Sequence, residues 1–259
     1  MRRPGPSWGR SFSPLGCWTQ VDPRQTQASL RRLFRRWGLP EGLRVDNGAP
    51  WGSRGDLPTD LVCWLAGLGV TVTANPPRRP QANGVVERSQ GVGKRWSEPS
   101  ACQSVAELQR RLDVVDRWQR ERYPSVKGRP RLEAHPGLAH SGRPYDPATE
   151  PRTWELPKVW ELMATHRVPR HVDRQGKLSV YNRAYSVGVA WAGRLVWVGF
   201  DSLTGAWAFQ DERGLEIRRQ TAEELTAETV MVMEVTSRRR GAHAAKPPGQ
   251  IPEAQPTSR

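Results

Sequence analysis

Two carboxylates stand in sequence contexts that could support chemistry. Asp46 closes the run Leu43-Arg44-Val45 and is followed by Asn47-Gly48. Asn-Gly is turn chemistry, so Asp46 has a sufficient explanation as a turn residue. The alternative is a metal ligand at the end of a strand. Glu87 closes the stretch Asn75-Pro76-Pro77-Arg78-Arg79-Pro80-Gln81-Ala82-Asn83-Gly84-Val85-Val86-Glu87 and is followed by Arg88. Lys94 comes two helical turns later and shares Glu87's face. A carboxylate and a lysine on one helix face, behind a basic loop, suit a metal ion held beside an anionic phosphate. The plain alternative is a glutamate favoured by a helix N-terminus and a solvated lysine.

The chain around these residues is strongly basic. Its 259 residues carry 40 Lys and Arg against 26 Asp and Glu, a net charge of +14. Such an excess favours a polyanionic partner, with nucleic acid as the default. The three cysteines, Cys17, Cys63 and Cys102, are odd in number and widely spaced. That pattern speaks against a disulfide framework or a structural zinc site and fits a reducing cytosol. His135 and His140 have no cysteine near them to complete a zinc site. No apolar run approaches the ~20 residues that span a bilayer. The opening MRRPGPSWGRSF lacks the apolar segment of a signal peptide.

The elements that must position Asp46 and Glu87 follow from periodicity. Cys17–Val21 alternates like a strand. Asp22-Pro23 reads as an N-cap with proline at the first helical position. Leu30, Leu33, Phe34 and Trp37 make an apolar helix stripe, with Arg31, Arg32, Arg35 and Arg36 opposite, ended by Gly38 and Pro40. Leu43–Val45 is a second strand, Pro58–Leu68 a helix, and Val70–Thr73 a β-branched third strand. The prolines of 76–80 break regular structure before a helix that starts near Asn83. Residues 17–96 thus alternate strand and helix, an α/β pattern.

Beyond it, Ser104–Glu107 reads as a capping box. A Pro-, Gly- and Arg-rich stretch then reads as a linker, with a short helix over 154–164. Five short β-like runs follow: Leu178–Tyr181, Ala184–Val189, Leu195–Phe200, Ala206–Gln210 and Leu215–Arg218. Short strands with frequent turns predict a small barrel. Thr221–Glu224 reads as another capping box, and the chain after Thr236 as a disordered basic tail.

Taken together, Asp46-Asn47-Gly48 and Pro77-x-x-Pro80-x-x-Asn83-Gly84-x-x-Glu87-Arg88 resemble the integrase core of DDE transposases and retroviral-type integrases, most closely insertion-sequence transposases. The resemblance covers about residues 17–125, and the 168–219 region resembles the small barrel that follows that core in bacterial members. It implies an RNase H-like α/β core, a linker and a small SH3-like (Mu-type) β-barrel. The expected divisions are a leader (1–12), the core (13–125), the linker (126–164), the barrel (165–220), a helix (221–235) and the tail (236–259). It also implies that Asp46 and Glu87 are catalytic metal ligands for Mg²⁺ or Mn²⁺ in DNA transposition. A pair of such ions suits phosphoryl transfer because they bind hard oxygens and stabilise both attacking and leaving oxygens. Arg79, Arg88, Lys94 and Arg95, with Arg78 beside them, are the expected phosphate contacts. The implied partners are transposon-end and target DNA and further copies of the chain, in a bacterial cytosol at the nucleoid, with no membrane.

The family's first strand carries a first Asp, and two more strands precede its first helix. Here the first helix begins at Pro23, and no Asp or Glu precedes Asp22. Asp22 itself is explained as a cap. The expectation is therefore a core lacking its first two strands and its first acid, truncated at the N-terminus, with little strand-transfer activity by itself. The alternative is a non-catalytic, DNA-binding remnant of a transposase. A basic RNA- or ribosome-associated protein is the third class, but it leaves the two Asn-Gly motifs with their acids unexplained.

Overall fold

The computed structural model describes residues 22–52, 57–76 and 84–236. The expected first strand, Cys17–Val21, lies outside them. Helix α1 spans Pro23–Trp37; Asp22 caps it by accepting from the Arg24 amide, and Gly38, with φ of 76°, ends it. A Cβ on Gly38 would lie 2.6 Å from the Arg143 carbonyl, so the close approach of chain 140–143 requires glycine there. Strand β1 (Gly42–Val45), helix α2 (Asp60–Gly67) and strand β2 (Thr71–Ala74) follow. β1 and β2 pair in parallel, with Leu43 opposite Val72 and Val45 opposite Ala74. Parallel neighbours need a crossover, and α2 supplies it. Among the described residues β1 pairs with β2 alone. Leu43 and Val72 pack toward the core, while Arg44, Thr71 and Thr73 alternate onto an exposed face.

Helices α3 (Gly84–Ser97) and α4 (Val105–Glu121) are joined through Glu98, whose φ is 47°, and a 3₁₀ turn at Pro99–Ala101. Ser104 caps α4 at the Glu107 amide as expected. The Glu107 carboxylate reaches one residue further back than a reciprocal box requires, to the Gln103 amide.

The 126–164 stretch, expected as a linker, is tied to the core at many points. It holds two one-turn helices, α5 (Arg131–Ala134) and α6 (Glu150–Thr153), and a longer α7 (Leu156–Ala164). Arg143 donates to the carbonyls of Pro40 at 2.8 Å and Leu68 at 3.2 Å. Trp154 donates to the Trp64 carbonyl at 2.9 Å. Glu150, buried, accepts from Arg31 Nε and Nη2 at 3.0 and 2.6 Å, from Trp64 Nε1 at 2.9 Å, and from the Tyr145 hydroxyl. Burial pushes the Glu150 carboxyl up, but the bonds from Arg31, Tyr145 and Trp64 outweigh it and hold it below the usual range. Arg31, on the arginine face opposite the apolar stripe of α1, is therefore the half-buried ion-pair partner of a core carboxylate. Helical periodicity could not show this, because its partner lies 119 residues away.

The C-terminal region has six strands where five runs were expected: β3 (Val168–His171), β4 (Lys177–Val180), β5 (Arg183–Ser186), β6 (Leu195–Asp201), β7 (Ala206–Gln210) and β8 (Glu216–Thr221). They form an antiparallel sheet in the order β3-β6-β7-β8 and a separate β4-β5 hairpin. The hairpin turns on Tyr181-Asn182, both with positive φ, as a two-residue turn compatible with strand twist demands. Tyr181 was expected inside the strand. Its ring is half-buried, and its hydroxyl donates to the Pro58 carbonyl at 2.5 Å, so a tertiary bond holds a residue type that turns seldom use.

The helix expected over 221–235 is shorter. Thr221 belongs to β8, and α8 spans Ala227–Met231 with a capping box between Thr226 and Thr229. Glu224, expected in the earlier box, is buried and accepts from Tyr185 and from Trp207 Nε1, the latter at 2.9 Å. The core is continuous across both regions: α2 packs on α7 and α8, and Asp60 at the start of α2 accepts from the Val235 amide at 2.6 Å.

Candidate functional site

β1 and β2 run in the same direction, so their carboxyl ends lie on one edge, where α/β sheets place ligand sites. Asp46 is the first residue past β1 on that edge. The Asn75 amide donates to the Val45 carbonyl at 2.8 Å, and Asn47 Nδ2 donates to the Asn75 carbonyl at 3.0 Å. These bonds fasten the loop after β1 to the residue that follows β2.

The turn explanation of Asp46 is realised: its Oδ1 accepts from the Gly48 amide at 3.1 Å. The loop then closes on itself, with the Trp51 and Gly52 amides both donating to the Gly48 carbonyl at 3.0 Å. A Cβ on Gly52 would sit 2.1 Å from the Asn47 carbonyl oxygen, so the return of the loop depends on glycine. One hydrogen bond from a backbone amide leaves most of a carboxylate's acceptor capacity available. Asp46 is exposed and makes no ion pair with the described residues. Turn residue and ligand are therefore compatible roles here.

Glu87 lies in the first turn of α3, and Lys94 and Arg95 in its last. The buried side of α3 is set by α4: Ser89 hydrogen-bonds Gln119 at 2.9 Å, and Trp96 meets Trp118 with ring centroids 4.4 Å apart. At about 100° per residue, Ser89 and Trp96 lie close to opposite Glu87 around the helix axis, while Lys94 lies within about 20° of it. Packing thus turns the Glu87–Lys94 face away from α4. Both side chains are exposed, as are Arg88 and Arg95 on one flank, and none of the four makes an ion pair with the described residues.

Gly91 sits between Glu87 and Lys94 on this face. It is exposed, and a Cβ there would meet no described atom within 4 Å. Packing does not require that glycine, which costs helix stability. A bare strip of helix backbone between the acid and the lysine is what close approach by a bulky ligand needs.

Arg78 and Arg79 lie outside the described residues, as do Arg238, Arg239 and Arg240. Asp22 is occupied as the α1 cap. In the C-terminal region Trp207 is buried in the core, while Trp197 and Trp191 are half-buried beneath Arg167 and Arg194. Asp116 on α4 is an acid that no motif in the sequence marks. Burial raises its carboxyl above the usual range, with Arg120, Arg36 and Arg131 acting in the opposite sense. Arg120 stands at i+4 on the same helix, but Arg36 and Arg131 come from α1 and α5, and the burial itself depends on tertiary packing.

Among the described residues no group of three or more His, Cys, Asp and Glu is gathered to hold a metal ion. Each of the two carboxylates, Asp46 and Glu87, nonetheless offers by itself the hard oxygen donors that a divalent cation takes. Mg²⁺ is commonly held by one or two carboxylates, completing its shell with water and substrate phosphate. No helix among the described residues is long and apolar enough to cross a membrane.

No family model matches the chain. The catalytic core domain of BIV integrase is similar over 48% of this chain and 78% of its own, at 20% identity and a TM-score of 0.37. A simian T-cell lymphotropic virus intasome, solved with the PP2A regulatory subunit B56 gamma, is similar over 75% of this chain at 16% identity and a TM-score of 0.37. The chain spans 57% of the length of that intasome chain. Likeness at this level carries no argument about activity.

Proposed function

We propose that this chain acts on DNA as an integrase- or transposase-type protein, with Asp46 and Glu87 as oxygen ligands for a divalent cation, Mg²⁺ or Mn²⁺, at a phosphodiester. The observation that carries the reading is the outward face of α3, where Glu87, bare Gly91 and Lys94 follow one another, flanked by Arg88 and Arg95. A bound cation would neutralise charge at the reacting phosphorus and assist departure of the leaving oxygen.

The chain's own residues do the rest. Lys94, about 10 Å along the helix from Glu87, pairs with a neighbouring phosphate. Arg88 and Arg95 hold the strand's backbone on one flank, and Arg79, which precedes them in the sequence, is assigned to the same set. These contacts position DNA without reading its sequence. Asp46 presents its outer oxygen from a loop that the Gly48 and Asn75 bonds hold in place. Two carboxylates hold a cation weakly, so DNA joining by the chain alone is expected to be slight. Assembly into a homo-oligomer on transposon-end and target DNA belongs to the same proposal.

A second reading, DNA binding without catalysis, is favoured by the lack of a three-acid group among the described residues. Nicking of supercoiled DNA by the purified chain in Mn²⁺ separates the two. Metal-dependent nicking that Glu87→Gln and Asp46→Asn abolish, with DNA binding intact, supports the metal site. Binding unchanged by metal and by both variants supports the second reading. Failure to bind DNA at low salt overturns both.

A further inference from the structure

The aromatic cluster at the far end of α3 has no role in the site described above. Trp96, Trp118 and Tyr123 touch one another, with ring centroids 4.4, 5.8 and 5.2 Å apart. Their exposure is what sets them apart. Trp96 is 40% and Trp118 36% accessible, whereas Trp64, Trp154 and Trp207 lie at 0, 8 and 1%. Trp96 and Trp118 meet edge to face, at an interplanar angle of 73°, so the contact leaves ring surface turned outward. An aromatic pair that serves only to join α3 to α4 would be expected to bury that surface.

The surroundings are basic. Residues 84–131 contain eleven Lys and Arg against six Asp and Glu. Arg88 and Arg95 on α3, and Arg117 and Arg122 on α4, are exposed and make no ion pair with the described residues. Trp96 lies about 14 Å along the helix from Glu87 and on its opposite side, and Arg88 and Arg95 occupy the flank between the two. A strand whose phosphates follow those arginines away from Glu87 arrives at the rings.

Exposed aromatic faces beside a cationic track suit unpaired bases, because every base offers a π face and the phosphates take the positive charge. Duplex bases are stacked on each other and present no free face. We infer that Trp96 and Trp118, with Tyr123 behind them, form a stacking platform for unpaired bases of single-stranded DNA beside the Glu87 face. The inference rests on the DNA-handling reading of α3 but not on its metal ligands.

The test is fluorescence-anisotropy titration of the full chain, in EDTA and at fixed salt, with three labelled probes of one length and sequence: single-stranded DNA, duplex DNA and single-stranded RNA. Trp96→Leu and Trp118→Leu keep apolar bulk and remove the indole; Trp96→Phe restores an aromatic face. Each leucine variant is expected to weaken single-stranded DNA binding about tenfold and duplex binding less than about twofold, with Trp96→Phe recovering most of the loss. Thermal melts identify variants that fail to fold; if the leucine variants do, quenching of wild-type tryptophan fluorescence by single-stranded DNA but not by duplex carries the test, and equal quenching by both overturns the platform. Equal losses on single strand and duplex, or no loss on either, overturn the platform. RNA bound more tightly than DNA overturns the DNA assignment. Self-association of the wild type that Trp96→Leu abolishes, with DNA binding unchanged, assigns the rings to a second copy and also overturns it. Because metal is absent, an inert Glu87 site does not affect the result.

Discussion

Replacing Glu150 by glutamine removes one negative charge from a site that accepts four hydrogen bonds, two of them from Arg31. The shape is unchanged, so the effect isolates the charge and the acceptor count. An amide has one acceptor oxygen and turns an NH₂ group toward donors that previously met an oxygen. If the amide nitrogen faces Tyr145, the hydroxyl can reverse and accept, but Arg31 Nε then confronts a donor. Breaking a buried ion pair by removing one partner costs about 3–5 kcal/mol. The Arg31 side chain keeps 30% of its surface in water while Glu150 keeps 1%, so solvent screening of Arg31 brings the cost down to the bottom of that range or just below it, about 2–3 kcal/mol. For a chain of this size that corresponds to a fall in Tm of roughly 4–12 °C.

The pH dependence has a definite sign. The folded carboxyl lies below its ordinary value of 4.5, so its stabilisation is fully present above that pH and is lost as pH falls through the folded value. Protonated Glu150 resembles glutamine, so the wild type and Glu150→Gln should melt several degrees apart at pH 7 and converge as pH falls below about 4.5. Thermal denaturation followed by circular dichroism across that range measures both. A shift under about 2 °C at pH 7, or a gap that persists in acid, would refute the assignment of Glu150 as the charged clasp between the 126–164 stretch and α1–α2.

Two further outcomes concern the α3 face. Lys94→Ala should weaken duplex-DNA binding uniformly across sequences and reduce the slope of log affinity against log salt by about 0.9, the signature of one lost phosphate contact. Gly91→Ala should raise helix stability by about 0.5–1 kcal/mol, because the added Cβ meets no described atom and removes a glycine from a helix interior. If DNA approaches that bare strip, the same variant should bind DNA more weakly, so a gain in Tm combined with a loss of affinity is the expected pairing. An affinity equal to wild type would place DNA elsewhere.

Much of the fold was readable from local signals. Asp22-Pro23, Gly38 and Ser104 mark helix ends through bonds to their own neighbours, and the structure places the ends where those residues fall. The strand–helix alternation from Leu43 to Ser97 was likewise visible, because each element's apolar spacing is its own property. Thr221–Glu224 misled for the complementary reason. The pattern of a capping box was present, but Glu224 finds stronger partners in Tyr185 and Trp207, which come from two different strands.

At the candidate site, the sequence alone determined which residue types stand in which order: Asp46 before Asn-Gly, and Glu87 with Lys94 two turns on. It also determined that Glu87 and Lys94 share a helix face, since helical period is local. Only the tertiary structure decided that this face is the outward one, because that depends on where α4 packs. It likewise decided that Arg31 pairs with the buried Glu150 and that the 126–164 stretch is fastened to the core. Trp96 and Trp118 are left half in water for the same reason. Period and capping are set within a few residues, whereas burial and pairing depend on segments brought together from well outside that range, as with Ser89 and Gln119 or, 119 residues apart, Arg31 and Glu150.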